Sequence, residues 1–184
     1  LPHTRRVAFL EDRQWAVLSA TGVRYGDAAG MRLEKEPVTV PYDPVLPVDT
    51  DWDLGVGDST AIWFSQSLKS GEVRLIDFYE SQGEGLPHYA SVLKAKGYTY
   101  GQHWAPHDIQ VKELGSGRSR IETAQSLGIR FQTCPNIPIE DGIHAARMLF
   151  PRCYFDAVKC RPGLEALQHY RRDYNTRLQE FKAQ

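Results

Sequence analysis

Thr50-Asp51-Trp52-Asp53-Leu54-Gly55-Val56-Gly57-Asp58-Ser59-Thr60-Ala61-Ile62-Trp63-Phe64 is the stretch whose reading decides the fold. One run ends in the carboxylate of Asp53, turns through Gly55 and Gly57, and resumes as a second, apolar run. The pattern predicts strand, turn, strand, over about 48–54 and 59–67. Asp53 then stands at a strand edge with backbone close by and little side-chain bulk around it. A second acid closes another short strand, His103-Trp104-Ala105-Pro106-His107-Asp108. Two carboxylates on neighbouring strand ends repel unless a cation or a proton lies between them. Mg²⁺ and Mn²⁺ are oxygen-seeking and are held by one or two carboxylates plus waters, so this pair suits a divalent cation.

Outward from this core, Ser67-Leu68-Lys69-Ser70-Gly71 reads as a hairpin turn into a third strand, Val73-Arg74-Leu75-Ile76-Asp77-Phe78-Tyr79. Pro87 and Gly97 bracket a helix, the fourth strand covers about 100–105, and Gly128 closes a helix over 118–127. A fifth strand over 129–134, a helix over 139–149 and a short strand at Tyr154-Phe155 follow. Leu164, Leu167, Tyr170 and Tyr174 predict a final amphipathic helix of about 161–180. The order β-β-β-α-β-α-β-α predicts an α/β fold. Its mixed sheet has three hairpin-linked antiparallel strands, then β-α alternation with helices on both faces. Strand one should lie centrally beside strand four, bringing their carboxyl ends together where open α/β sheets bind ligands.

Residues 1–36 are punctuated by Gly22, Gly26 and Gly30 and read as an N-terminal arm or the edge of an upstream domain. Four prolines within 37–47 forbid a helix and predict a stiff connector. The compact domain is expected over 48–184. A net charge of −1 gives no global signature of a nucleic-acid partner and leaves only a local basic face to supply one. Three cysteines without CxxC spacing fit a reducing compartment better than a disulfide framework. The sequence holds no apolar run long enough for a transmembrane helix.

Asp58 sits across the turn from Asp53, where it would hold a second metal or shape the hairpin. Asp51 alternates with Asp53 onto the same strand face. Lys112, Arg118 and Arg120 follow Asp108, and Gly115-Ser116-Gly117 leads into a helix N-terminus. Such a loop offers N–H donors and cations to a phosphate backbone, or is simply solvated. Glu140 and Asp141 are best read as acids complementing a helix dipole. No GxSxG elbow surrounds Ser119, which argues against a serine hydrolase.

Trp52-Asp53-Leu54-Gly55-Val56-Gly57-Asp58-Ser59-Thr60-Ala61-Ile62, preceded by Val40-Pro41-Tyr42-Asp43-Pro44, resembles the nuclease domain of the large terminase subunit of tailed bacteriophages. Pro106-His107-Asp108-Ile109, Gly117-Arg118-Ser119-Arg120 and Asp141-Gly142-Ile143 extend the likeness over about 38–182. The resemblance implies an RNase H-like (RuvC-like) fold and a metal-dependent endonuclease that cuts concatemeric DNA around genome packaging. Asp53 would be the first-strand metal ligand and Asp108 the fourth-strand ligand, with Asp58 an additional acid and two Mg²⁺ or Mn²⁺ ions between them. Implied partners are double-stranded DNA, a terminase ATPase domain, the small terminase subunit and the portal, in the host cytoplasm. The family's third acid is expected beyond Gln184, since Asp173 falls within the last predicted helix. No GxxxxGK[ST] phosphate loop is present, so DNA translocation is not expected of this chain. Competing readings are another RNase H-like nuclease such as a junction resolvase, an actin-like nucleotide-binding fold, and a non-catalytic portal-docking module.

Overall fold

A computed structural model describes residues 14–19, 22–33, 40–55, 59–110, 117–169, 174–175 and 180–181. Upstream, β1 (Gln14–Ser19), β2 (Gly22–Asp27) and β3 (Arg32–Leu33) form a three-stranded antiparallel sheet. The sequence does not announce pairing in this stretch, because its glycines mask the strand pattern.

The main sheet has six strands in the order β8-β7-β4-β5-β6-β9. It is built from β4 (Val48–Asp53), β5 (Ser59–Ser67), β6 (Val73–Gln82), β7 (Tyr100–Ala105), β8 (Phe131–Thr133) and β9 (Cys153–Phe155). As the sequence predicts, β4, β5 and β6 pair antiparallel, while β7 lies parallel to β4 and β8 parallel to β7. β9 adds in parallel to the far edge, beside β6.

One face carries the main core. Trp52, Ile62, Phe64, Ile76 and Phe131 are buried there, with Tyr89 and Leu93 from α1 (Leu86–Lys96) and Ala124 from α2 (Arg120–Ser126). Pro87 lies in the first turn of α1 and Gly97 ends it in the left-handed region, at φ 66. Ser119 caps α2 through a capping box: its hydroxyl accepts from the Glu122 N–H while the Glu122 carboxylate accepts from the Ser119 N–H. This helix lies where the sequence places it and is slightly shorter at both ends.

The opposite face is covered over β5, β6 and β9 by α4 (Arg161–His169). Leu75, Cys153 and Cys160 are buried there against Trp63, Phe155 and Leu164. Gly163 is what lets α4 come so close: a Cβ at that position would meet Trp63 at 2.5 Å and Phe78 at 2.7 Å. α3 (Ile139–Leu149) opens on Glu140 and Asp141 and buries none of its residues.

The last predicted helix is corrected. α4 is described only to His169, and β10 (Tyr174–Asn175) pairs antiparallel with β11 (Glu180–Phe181). Tyr174, expected in a late turn of the helix, is in a strand instead. Tyr and Phe favour extended backbone, and a spacing of apolar residues alone does not distinguish the two.

Candidate functional site

Two rows of side chains cross the sheet on the face that α4 partly covers. Backbone register places Gln132, Trp104, Asp51, Trp63 and Phe78 side by side on β8, β7, β4, β5 and β6. In the next row towards the carboxyl end of β4, Asp53 pairs with Ala61 and Ala61 with Glu80. Asp53 is the last residue of β4 and is exposed. Asp108 follows β7 within a short 3-10 turn, His107–Gln110, and is exposed as well. Buried Ile109 anchors that turn in the main core. The parallel β4-β7 pairing therefore directs both acids to the same end of the sheet.

Among the described residues, neither carboxylate forms a hydrogen bond or an ion pair. Solvent-reaching carboxylates of this kind suit a divalent cation that keeps part of its water shell. Asp53 and Asp108 thus fit such an ion by donor type and position.

Asp51 shares the Asp53 face, where Ser65 Oγ donates to its Oδ2 at 3.4 Å. Although Asp51 reaches solvent, the sheet around it desolvates the carboxylate and raises its pKa above the ordinary value; the Ser65 bond opposes this. Asp58 and Lys112 lie outside the described residues. So do Gly115, Ser116 and Asp173. Arg118 is exposed in the approach to α2. Arg120 is half-buried and lines a recess on the other side of the β4 end, with Leu54, Gly55, Thr60, Glu84 and Tyr89. The two arginines therefore occupy different surroundings.

The strand junction beneath the acids is held by groups that sequence reading missed. Fully buried Thr50 accepts from Trp52 Nε1 at 2.8 Å and lies 2.6 Å from His103 Nδ1 on β7. Indole is only a donor, so Thr50 accepts from Trp52, while the direction of the Thr50–His103 bond is set by the imidazole tautomer. Burial lowers the His103 pKa and so favours the neutral ring, with Asp49 partly opposing. Asp49 Oδ1 accepts from the Gln102 N–H at 2.7 Å, and Gly101 is needed beside it, since a Cβ there would meet Asp49 Oδ1 at 2.3 Å. A threonine before an acid in a strand carries no signal for this role until its neighbour strand is known.

In the register row of Thr50 and Phe64, buried Asp77 accepts from Lys96 Nζ at 2.5 Å and from Tyr98 Oη at 3.0 Å. Desolvation, with the Asp77 charge adding to it, raises the Tyr98 pKa. These groups tie α1 to β6. Cys160 is buried under α4, and desolvation pushes its thiol up to about 12, so it acts as a small core residue.

No family model matches the sequence, and no similar sequence is found among curated proteins. Solved structures do match. The nuclease domain of the phage P22 large terminase aligns with a TM-score of 0.58 at 18% identity, over 79% of this chain and 77% of that one. The nuclease domain of the large terminase from phage SPP1, with bound Mn, aligns with a TM-score of 0.53 at 13% identity, over 73% of each chain. The chain has the RNase H-like fold of the large terminase nuclease domains. The large terminase of a thermophilic bacteriophage, in complex with ATP-gamma-S, matches with a TM-score of 0.57 at 16% identity. The alignment spans 79% of this chain but 37% of that one, so this chain matches little more than a third of the longer protein's length. Among the described residues, no helix is long and apolar enough to cross a membrane.

Proposed function

We propose that this chain is a divalent-metal-dependent DNA endonuclease acting as the nuclease part of a phage DNA-packaging terminase. The observation that carries the reading is the position of Asp53. It ends the central strand β4, beside the parallel strand β7 that runs into Asp108, within the fold shared with terminase nuclease domains. In this reading Asp53 and Asp108 hold Mg²⁺ or Mn²⁺, with Asp58 assisting. Divalent ions at such a site supply an activated water and stabilise the leaving oxygen of a phosphodiester. The Mn-bound SPP1 domain supports a divalent ion in this fold.

Lys112, Arg118 and Arg120 hold the DNA backbone, a contact that carries no base sequence, so cleavage should be weakly specific. An ATPase domain, the small terminase subunit and the portal are the proposed partners in the host cytoplasm. The match to a longer large terminase with ATP-gamma-S bound supports the first of these.

Supercoiled plasmid cleavage tests the assignment. Wild type should nick DNA with Mn²⁺ or Mg²⁺ and stop with EDTA. Asp53→Asn and Asp108→Asn should each lose about 100-fold or more, the scale of removing a group on which transition-state charge stabilisation depends. Metal-independent cleavage, or variants as active as wild type, would sink the reading.

A further inference from the structure

The recess on the other side of the β4 end has a volume of about 110 Å³, room for several waters or for a phosphate group. It opens at the N-terminus of α1, where Gly85 and Leu86, the cap and the first residue of that helix, line it. Gly85 offers no side-chain cap, and the first turn of α1 holds no acidic residue. Pro87 has no N–H to offer, and the His88 N–H is taken by the Gly85 carbonyl at 3.0 Å. Among the described residues, the N–H groups of Gly85 and Leu86 meet no acceptor. A helix N-terminus in this state attracts an anion.

A second and independent observation points to a ligand. Thr60 is only 6% exposed and lines the recess, yet among the described residues its hydroxyl has no hydrogen-bond partner. Every side-chain oxygen or nitrogen that is sealed from solvent among those residues does have one. The Thr60 hydroxyl is therefore not sealed, and the recess is the space onto which it opens. A polar group so deeply placed and left unpaired is one that a ligand can satisfy. Arg120 brings a cation to the same lining. Glu84 opposes an anion there, with its carboxylate 3.7 Å from His88 Nδ1.

From these groups we infer that the recess binds a phosphate of the DNA backbone. Its oxygens accept from the N–H groups of Gly85 and Leu86 and from the Thr60 hydroxyl, beside the Arg120 guanidinium. The inference rests on the nuclease reading above. Leu54 and Gly55, which line the recess, continue directly from Asp53, so recess and acid are separated by roughly 7 Å of chain. A strand crossing the carboxyl end of β4 then presents one phosphate to Asp53 while another is held in the recess. Such a contact fixes the register of the DNA without reading its bases.

Proton–nitrogen NMR spectra of the full chain test this with two probes: inorganic phosphate in EDTA, and a short DNA duplex with Ca²⁺ in place of a catalytic ion. We expect the Gly85 and Leu86 amide signals to move with both probes in wild type and in Thr60→Ser, and far less in Thr60→Val. Thr60→Val should also weaken DNA binding about tenfold, the scale of one hydrogen bond to a charged group. Its melting temperature should be unchanged or higher, because the hydroxyl it removes has no partner in the protein. A lower melting temperature with wild-type DNA affinity makes the hydroxyl a structural group and overturns the site. Movement with inorganic phosphate but not with DNA leaves an anion site that the backbone does not reach, and overturns the assignment to DNA. No movement with either probe, in a chain that still nicks plasmid with Mn²⁺, overturns the recess and leaves the nuclease reading standing. A chain that neither binds nor cuts DNA overturns both.

Discussion

Thr50 shows how one hydroxyl holds two strands. It accepts the indole N–H of Trp52 on its own strand and is hydrogen-bonded to His103 Nδ1 on the next, three residues short of Asp53. Burial favours the neutral form of that histidine, and its charge is set by pH. The folded His103 pKa is lowered by burial below the ordinary value of 6.5. The unfolded chain therefore takes up the proton first. Stability from this junction is fully present above the unfolded pKa and is lost as pH falls through and below it. Urea midpoints at about pH 7.5 and 5.5 should show a larger fall in wild type than in His103→Gln, which has no proton to gain. Thr50→Val, which leaves Trp52 Nε1 and His103 Nδ1 without their partner, should cost about 1–3 kcal/mol at the higher pH. An equal pH dependence in wild type and His103→Gln would remove His103 as its source.

At the scale of elements, the site depends on how closely α4 lies on the sheet. Gly163 sits over Trp63 and Phe78 with no room for a Cβ, and it also lines a cavity beside Asp53 and Glu80. Gly163→Ala gains intrinsic helix propensity but must push against two aromatic rings. Overpacking of this kind costs about 1–3 kcal/mol, more than the gain of up to about 1 kcal/mol from replacing glycine. The variant should melt lower than wild type and lose cleavage activity; a higher melting temperature would show that α4 can ride up without cost. The sequence predicts a helix here but nothing about this approach, because the aromatic partners come from strands far away in the chain. The same contrast runs through the rest of the fold. β4, β5 and β7 and helices α1 to α3 are legible because Gly, Pro and alternating apolar residues mark their ends locally. Glu80 is not, because the apolar pattern carries the third strand only to Tyr79, whereas pairing with β5 extends it to Gln82. Asp77 is not, because a buried acid is explained only by Lys96 and Tyr98 on other elements. Asp53 and Asp108 stand out as candidates because the one ends a strand and the other follows one closely, and the parallel β4-β7 pairing accounts for their sharing one end of the sheet.

Seen as a whole molecule, the chain presents acids where DNA would be cut while carrying a net charge of −1. Attraction to a polyanion must therefore come from a local field, and the proposed source is the segment from Lys112 to Arg120. Its two described arginines should behave differently. Arg118 is exposed before the Ser119 cap, where its guanidinium can reach a ligand. Arg120 is half-buried at the start of α2 and lines a recess with Glu84 and Tyr89, so its loss should also be felt by the fold. Each phosphate contact releases about one counterion, so removing one lowers the slope of log affinity against log salt by about 1. Arg118→Ala should show that smaller slope in DNA binding with Ca²⁺ in place of a catalytic ion. Arg120→Ala should lower the melting temperature as well. If Arg118→Ala keeps the wild-type slope, the basic segment is a solvated loop, and the field that draws DNA to Asp53 and Asp108 must come from another part of the surface.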